Sequence, residues 1–162
     1  HIFIQGGVGG LAAAVCGYYW DLWGTQRPRL IVVEPETANC LQQSAQAGKP
    51  VAVGGDHQTL MAGLACGEVS VLAWEILKTG ADDFMTLSEE AIGSTMTLLA
   101  RGYEQDPAIE AGESAVPGLA ALLLARRSTE YSNSLGLNTH SKVLIIGTEG
   151  ATDPEVYQQL VN

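Results

Sequence analysis

Short apolar runs rich in β-branched residues alternate along the chain with longer stretches whose apolar residues recur at helical spacing. Strands are predicted over residues 2–5, 29–33, 83–87 and 142–146, with a brief extended piece over 51–53. Helices are predicted over residues 11–23, 36–47, 70–78, 91–101, 116–126 and 153–161, with Ser88 as the N-cap of the fourth. This alternation indicates a mostly parallel sheet with helices on both faces, which is a three-layer αβα architecture of the α/β class.

The composition suits one compact α/β domain over residues 1–162. Hydrophobic residues make up 46% of the chain, and its length leaves no room for a second domain of ordinary size. The formal net charge is −10 and the eight Lys and Arg residues are scattered, so neither a nucleic acid nor an anionic membrane is expected as a partner. An anionic ligand must then be held mostly by backbone N–H groups.

Cysteine usage points to a reducing compartment. Cys16, Cys40 and Cys66 form no C-x-x-C pair and their number is odd, which favours reduced, buried thiols in a cytosolic protein. Pairing of Cys40 with Cys66 in space stays open. No signal peptide, lipidation motif or long apolar span is visible. The first residue is His1 rather than Met, which we interpret as the mark of a piece of a longer chain.

A glycine-rich turn joins the first strand to the first helix. Residues 6–10 read Gly-Gly-Val-Gly-Gly. Because glycine has no Cβ, such a turn brings several N–H groups close to a ligand, and the positive end of the helix dipole lies at the same point. In a parallel sheet, ligands bind beyond the carboxyl ends of the strands, where residues 34–35 and 148–150 also fall. The turn therefore predicts a phosphate site.

One interpretation of this turn is a dinucleotide-binding fingerprint. Residues 7–12 fit the G-x-G-x-x-G/A pattern, and Glu34 closes the second strand where an acid would bind a ribose. On local pattern alone, an oxidoreductase that binds NAD(P) is a reasonable hypothesis. The pattern is not specific, since glycine-rich turns between strand and helix bind many phosphates.

Further motifs favour a different phosphate. Residues 55–68 are unusually rich in Gly and Ala, and three more motifs lie at 73–77, 112–114 and 148–153. Together they resemble the diaminopropionate ammonia-lyases, of the pyridoxal-phosphate (PLP) family of fold type II that includes threonine dehydratase, serine racemase and the tryptophan synthase β chain. The resemblance runs from Ile2 to about Leu160. It implies part of the large domain of that fold, with PLP as the cofactor.

The resemblance also implies which residues bind the cofactor. The phosphate loop of the family falls on Gly6, Gly7, Val8, Gly9 and Gly10. By the same resemblance, the N–H groups of this loop hold the 5′-phosphate.

Two residues of the ring site follow from the same resemblance. Thr148 matches the neutral hydroxyl that meets the pyridine nitrogen, and Glu113 matches an acidic residue near the ring edge. An unprotonated ring nitrogen favours β-elimination over transamination. Some members bind a cation with a Glu-Pro pair and an acid six residues later. Here Glu34-Pro35 is followed by Cys40, so no metal site is expected.

The residues that carry out catalysis in this family have no match here. The family attaches its cofactor to a Lys in an Asn-Ala-Phe-Lys context, whereas Lys49, Lys78 and Lys142 lie in other settings. The second base and the Asn-containing loop that grips the substrate carboxylate are also unmatched. The resemblance thus implies a C-terminal half without catalytic residues of its own. We expect these 162 residues alone neither to bind the cofactor covalently nor to turn over substrate.

For the parent enzyme, the resemblance implies PLP-dependent α,β-elimination of an amino acid, 2,3-diaminopropionate, to pyruvate and ammonia. It also implies a cytoplasmic homodimer that acts in amino-acid catabolism. Dehydration of serine or threonine stays open within the same family. Outside it, the alternatives are the NAD(P) oxidoreductase and a non-catalytic orphan domain retained only for fold or association.

Overall fold

The structure, a computed structural model, describes residues 1–161 and contains one sheet of four parallel strands. The strands are β1 (Ile2–Gln5), β2 (Leu30–Pro35), β3 (Asp83–Leu87) and β4 (Leu144–Ile145), in the spatial order β3-β2-β1-β4. Ile2 pairs with Leu30 on one side and with Leu144 on the other. The β-branched composition of β1 and β2 suits this central position, because both faces of a parallel sheet are buried.

Seven helices connect and follow these strands in the described chain. They are α1 (Gly10–Trp23), α2 (Cys40–Ala47), α3 (Val71–Gly80), α4 (Glu90–Arg101), α5 (Pro117–Arg127), α6 (Thr129–Leu135) and α7 (Pro154–Val161). Short 3₁₀ turns occupy Gly24–Gln26 and Ala62–Leu64. None of the helices within residues 1–161 is both long enough and apolar enough to cross a membrane.

Alternate residues of the two central strands bury two separate cores. Phe3 packs into a cluster with α4, α5, α6 and α7, whereas Ile2 and Ile4 pack with α1, α2 and α3. Because successive side chains of a strand point to opposite faces, these two clusters lie on opposite sides of the sheet. On one side, Gly118 lets α5 approach β1 closely, since a Cβ there would lie 2.8 Å from the Phe3 carbonyl oxygen. The predicted three-layer αβα architecture is confirmed.

The structure corrects several predicted element bounds. Helix α2 begins at Cys40 rather than at residue 36, because residues 36–39 form a turn in which the Ala38 N–H donates to the Pro35 carbonyl. Ser88 does not cap α4, whose N-cap is Glu89. Residues 51–53 do not join the sheet, and β4 is shorter than the predicted strand over 142–146.

The strand order defines a switch point between β1 and β4. From β1 the chain moves outward through β2 to β3, and then returns to place β4 on the opposite side of β1. The loops that leave the carboxyl ends of β1 and β4 therefore diverge to opposite faces and open a crevice between them. The glycine-rich turn and residues 148–150 both border this crevice.

Candidate functional site

A cavity of about 500 Å³ occupies the crevice between β1 and β4. Residues 7–11 border it on one side, and residues 148–150 border it on the other. Gln5, Gly63, Leu64, Ser114 and Thr152 complete the lining. A volume of this size suits a cofactor or another small molecule.

The glycine-rich turn brings unpaired N–H groups to this cavity. Gly9 precedes α1 with φ +98°, a backbone conformation that residues with a Cβ rarely adopt. Within residues 1–161, the N–H groups of Gly7, Val8, Gly9 and Gly10 have no hydrogen-bond acceptor. Such groups at the start of a helix, together with the helix dipole, form a binding site for an anion.

Gly6 has a different place from the other predicted loop residues. Its N–H donates to the Val33 carbonyl oxygen at 2.7 Å, which continues the pairing between β1 and β2. A Cβ at Gly6 would lie 2.7 Å from Val32 Cγ1 and 2.9 Å from Leu41 Cδ1. Gly6 does not line the cavity, so packing against β2 and α2 accounts for the glycine at this position.

Thr148 lies opposite the turn, at the far side of the same cavity. The Gln5 side-chain amide Nε2 donates a hydrogen bond of 3.1 Å to Thr148 Oγ1. The structure thus brings Thr148 together with the predicted loop residues Gly7–Gly10, although the two segments are far apart in sequence.

Glu149 adds a carboxylate to this cavity. Its Oε2 accepts a hydrogen bond of 2.6 Å from the Ser114 N–H, and its backbone carbonyl oxygen accepts from the Gly112 N–H. The Ser114 hydroxyl oxygen in turn accepts a bond of 3.0 Å from the Gly63 N–H. This network fixes the loop after β4 against two other loops and leaves the Glu149 side chain partly exposed.

Glu113 is buried, between two residues that donate hydrogen bonds to Glu149, and it does not line the cavity. The structure therefore does not bring Glu113 together with Thr148 and the loop.

Glu34 lies away from the cavity in the core. It is fully buried, and its two carboxylate oxygens accept hydrogen bonds of 2.8 Å each from the N–H groups of Leu41 and Gln42 in the first turn of α2. Burial raises the pKa of Glu34 to about 7, although these N–H bonds act in the opposite direction. A carboxylate enclosed in this way is not available to a ribose, which disfavours the dinucleotide interpretation.

Two of the cysteines flank the turn. The Cys40 thiol contacts the Gly7 carbonyl oxygen at 3.5 Å, and a Cβ at Gly7 would lie 3.3 Å from Cys66 Sγ. Both thiols are free, and burial raises the pKa of Cys40 to about 12. Cys40 is therefore an inert core thiol rather than a nucleophile.

Four polar residues of the cavity, Gln5, Ser114, Glu149 and Thr152, were not identified as site residues from the sequence. Gln5 ends β1, Glu149 follows Thr148, and Ser114 follows Glu113. Their position in the sequence could have identified them, because polar residues at the carboxyl ends of parallel strands lie where ligands bind. Gln5 is the clearest case, since it interrupts an otherwise apolar strand.

A larger cavity of about 780 Å³ runs along β3 and shares no lining residue with the first. In the described chain, β3 is the outer strand of the sheet on that side. Its lining does not include the glycine-rich turn or the loop after β4, so it contains no N–H groups at the start of a helix that follows a glycine-rich turn.

The residues around the smaller cavity fit a phosphorylated aromatic cofactor. The turn supplies donors for a phosphate, and the Cβ position of Gly10 has open space around it. The hydroxyl of Thr148 can meet a ring nitrogen with a single hydrogen bond. No lysine within residues 1–161 lines this cavity.

The sequence and the structure both match known PLP enzymes. Diaminopropionate ammonia-lyase of Escherichia coli (strain K12) is 40% identical over 164 residues, which cover 99% of this chain and 41% of that protein. The Salmonella typhimurium enzyme (strain LT2) is 38% identical over 168 residues, with the same coverage. The chain thus spans about two-fifths of the length of these curated relatives.

Solved structures of PLP enzymes have the same fold as this chain. The crystal structure of selenomethionine-incorporated holo diaminopropionate ammonia lyase from Escherichia coli superposes with a TM-score of 0.91 at 38% identity, and covers 99% of this chain and 41% of that one. Maize serine racemase shares the fold with a TM-score of 0.78 at 24% identity, over 98% of this chain and 46% of its own. The predicted fold type II is confirmed, as is the resemblance to the diaminopropionate ammonia-lyases.

Residues 1–148 match the family described as "Pyridoxal-phosphate dependent enzyme". That match covers most of the chain and includes the glycine-rich turn and Thr148. The cofactor predicted from the sequence is therefore the cofactor of the family. The chain belongs to the pyridoxal-phosphate dependent enzymes.

Proposed function

We propose that the cavity between β1 and β4 binds PLP and contributes to an ammonia-lyase. The N–H groups of Gly7–Gly10 hold the 5′-phosphate, and the Thr148 hydroxyl meets the pyridine nitrogen. The observation that carries this proposal is the cluster of N–H groups without an acceptor within residues 1–161, placed at the switch point of a parallel sheet. Gly6 supports the loop from behind through its contacts with Val32 and Leu41.

The reaction proposed for the whole enzyme is α,β-elimination of 2,3-diaminopropionate. One substrate molecule and one water give pyruvate and two molecules of ammonia. When bound, PLP supplies an electron-withdrawing ring that stabilises negative charge at the substrate Cα. Identity of 38–40% to the diaminopropionate ammonia-lyases over nearly the whole chain supports this choice of substrate over serine or threonine.

In this proposal, the residues of this chain bind the cofactor and orient its ring. The groups that transfer protons belong to parts of the enzyme outside residues 1–162. Thr148 offers the ring nitrogen a neutral hydroxyl rather than a carboxylate. It therefore provides no negative charge that would stabilise a protonated ring nitrogen. Lys49 and Lys142 are exposed and Lys78 forms an ion pair with Glu75 at 2.6 Å, so none of the three is placed for covalent attachment. The location of Glu113 near the ring edge stays a prediction.

For the molecule as a whole, we propose that residues 1–162 form one α/β domain of a cytoplasmic homodimer in amino-acid catabolism. Large apolar side chains on α3 and at the end of α1 support an association surface, since Val71, Leu72 and Trp23 are all at least half exposed. The net charge of −10 supports a small-molecule partner rather than a nucleic acid or an anionic membrane.

Substitution of Gly10 by alanine tests the phosphate site. Nothing lies within 4 Å of a Cβ at Gly10, so the fold tolerates the change and α1 gains about 0.5–1 kcal/mol from the loss of glycine flexibility. The added methyl group crowds the cavity that Gly10 borders. We expect the affinity for pyridoxine 5′-phosphate, measured by calorimetry, to fall about tenfold, on the scale of one or two lost hydrogen bonds.

Gly17→Ala is the matched control, because Gly17 also lies in α1 with nothing within 4 Å of its Cβ but does not border this cavity. It should raise the thermal midpoint of unfolding without weakening the ligand. A thermal shift with NAD and none with the B6 phosphate would support the dinucleotide alternative. A response to neither ligand would favour the orphan domain.

A further inference from the structure

Gln5 is a buried polar residue at the end of an apolar strand. Only 4% of its surface is exposed, and the three preceding residues of β1 are Ile2, Phe3 and Ile4, all buried. Its Nε2 donates to Thr148 Oγ1 at 3.1 Å, whereas its Oε1 is buried and has no hydrogen-bond partner among residues 1–161. The amide is therefore only half satisfied.

This arrangement costs stability. A buried polar atom without a partner destabilises a fold by about 1–3 kcal/mol, and an apolar side chain of similar shape would avoid that cost. Methionine and leucine fit buried strands that already contain Ile and Phe. The hydrogen bond to Thr148 is the feature that only a side-chain donor provides at this position.

The direction of that hydrogen bond biases Thr148 toward donation. A hydroxyl has one proton and two lone pairs, and the amide N–H of Gln5 occupies one lone pair. The proton of Thr148 has no acceptor among residues 1–161, and Thr148 lines the cavity. One lone pair and the proton therefore remain, and because the oxygen already accepts from Gln5, the hydroxyl is polarised toward donating its proton to a ligand rather than accepting a second hydrogen bond.

We propose that Gln5 is a positioning residue that makes Thr148 a hydrogen-bond donor toward the ring nitrogen of the cofactor. This inference rests on the proposed function. A donor at that point requires an acceptor, so the pair selects the unprotonated ring nitrogen. The Glu149 carboxylate borders the same cavity and acts in the opposite direction, because a negative charge favours a protonated ring.

Gln5→Glu reverses the polarity of this contact. A carboxylate accepts hydrogen bonds and does not donate them. The Thr148 hydroxyl would therefore donate its hydrogen bond to the carboxylate and turn a lone pair toward the cavity. Gln5→Met removes the donor while keeping length and burial. The matched control is Gln46→Glu, which introduces the same charge at an exposed position of α2 that does not line the cavity.

The probe is 4-deoxypyridoxine 5′-phosphate with a ¹⁵N-labelled ring, used with its N-methyl derivative. It has no aldehyde and so cannot react with Lys49, Lys78 or Lys142. Calorimetry gives the affinity for each compound, and the ¹⁵N chemical shift at pH 7 reports whether the bound ring nitrogen carries a proton. Thermal unfolding of each unliganded variant reports the structural effect separately.

The wild type should bind the parent compound about tenfold more tightly than the N-methyl compound, which has no acceptor, and should show an unprotonated nitrogen. Gln5→Glu should reduce this preference to about threefold or less and show a protonated nitrogen. Gln5→Met should weaken the preference without lowering the unfolding temperature. Gln46→Glu should match the wild type.

Thr148→Val supplies the remaining comparison. If Gln5 acts through Thr148, then adding Gln5→Glu to Thr148→Val should change neither the preference between the two compounds nor the protonation of the ring nitrogen. An equal change in both backgrounds would overturn the inference, as would a protonated ring nitrogen in the wild type. Failure of the wild type to bind the probe at all would contradict the proposed function itself, and the inference with it.

Discussion

Two acidic residues lie at or just after the carboxyl ends of strands in the same sheet and have different roles. Glu34 lies near the carboxyl end of β2, where both of its oxygens accept N–H groups of α2 and no part of the side chain reaches solvent. Glu149 lies just after β4, where it bonds the Ser114 N–H and remains partly exposed at the cavity. The first holds a helix in place, and the second adds a charge to the cavity between β1 and β4.

The difference arises from the strand order rather than from the residue type. Strands β2 and β3 are joined by a crossover on one face, so α2 returns over the end of β2 and encloses Glu34. Strands β1 and β4 lie at the switch point, where the following segments diverge and leave a cavity. An acid at a strand end therefore becomes a structural cap or a site residue according to the direction in which the next segment leaves.

The largest expected effect is on stability when Glu34 is replaced by alanine. The change leaves the buried N–H groups of Leu41 and Gln42 without acceptors and creates a cavity. We expect a loss of about 3 kcal/mol or more in the free energy of unfolding, measured by urea denaturation. Glu149→Ala should cost about 1 kcal/mol, since one hydrogen bond of a partly exposed group is lost. Equal losses for both variants would contradict the comparison.

The pH dependence of stability separates the two acids further. Burial raises the pKa of Glu34 to about 7 in the folded state, while the unfolded chain releases that proton near 4.5. Between these values the native state binds more protons than the unfolded state, so the free energy of unfolding falls as the pH rises. The contribution of this one group is about 3 kcal/mol between pH 4.5 and 7. It should be absent in Glu34→Gln and retained in Glu149→Gln, as measured by urea titrations across this range.

The sequence predicted well the elements whose signals are local. Strand β1 and helix α1 follow from an apolar run, a glycine-rich turn and a second apolar run, all within 23 residues. The start of α2 was misplaced because its cap is the side chain of Glu34, which lies outside the helix. Helix α6 was missed because Thr129–Leu135 contains Thr, Ser and Asn, which have low helix propensity. Its N-cap Ser128 and a bond from the Ser132 hydroxyl to Ala125 stabilise it.

The site was predictable to the extent that one segment defines it. Gly7–Gly10 carry their own signal, and Thr148 came from the family resemblance. Gln5 and Ser114 reach the cavity only because β1 pairs with β4 and the loop at 112–114 bonds Glu149. Such contacts join residues more than 100 positions apart or belong to loops without regular structure, so no periodicity in the sequence reports them.

Glu149→Gln gives the smallest effect and the finest test of the comparison. Glutamine keeps an acceptor for the Ser114 N–H, so the fold should be unchanged, but the cavity loses its negative charge. Inorganic phosphate bound at the Gly7–Gly10 turn is then repelled less, and its affinity should rise about threefold at low ionic strength, with the gain shrinking as salt is added. Above pH 7, where Glu34 is mostly ionised, Glu34→Gln removes a comparable charge from the core and should leave phosphate affinity unchanged in calorimetry. If both substitutions raised it equally, the effect would come from net charge, and the assignment of Glu149 alone to the binding site would be wrong.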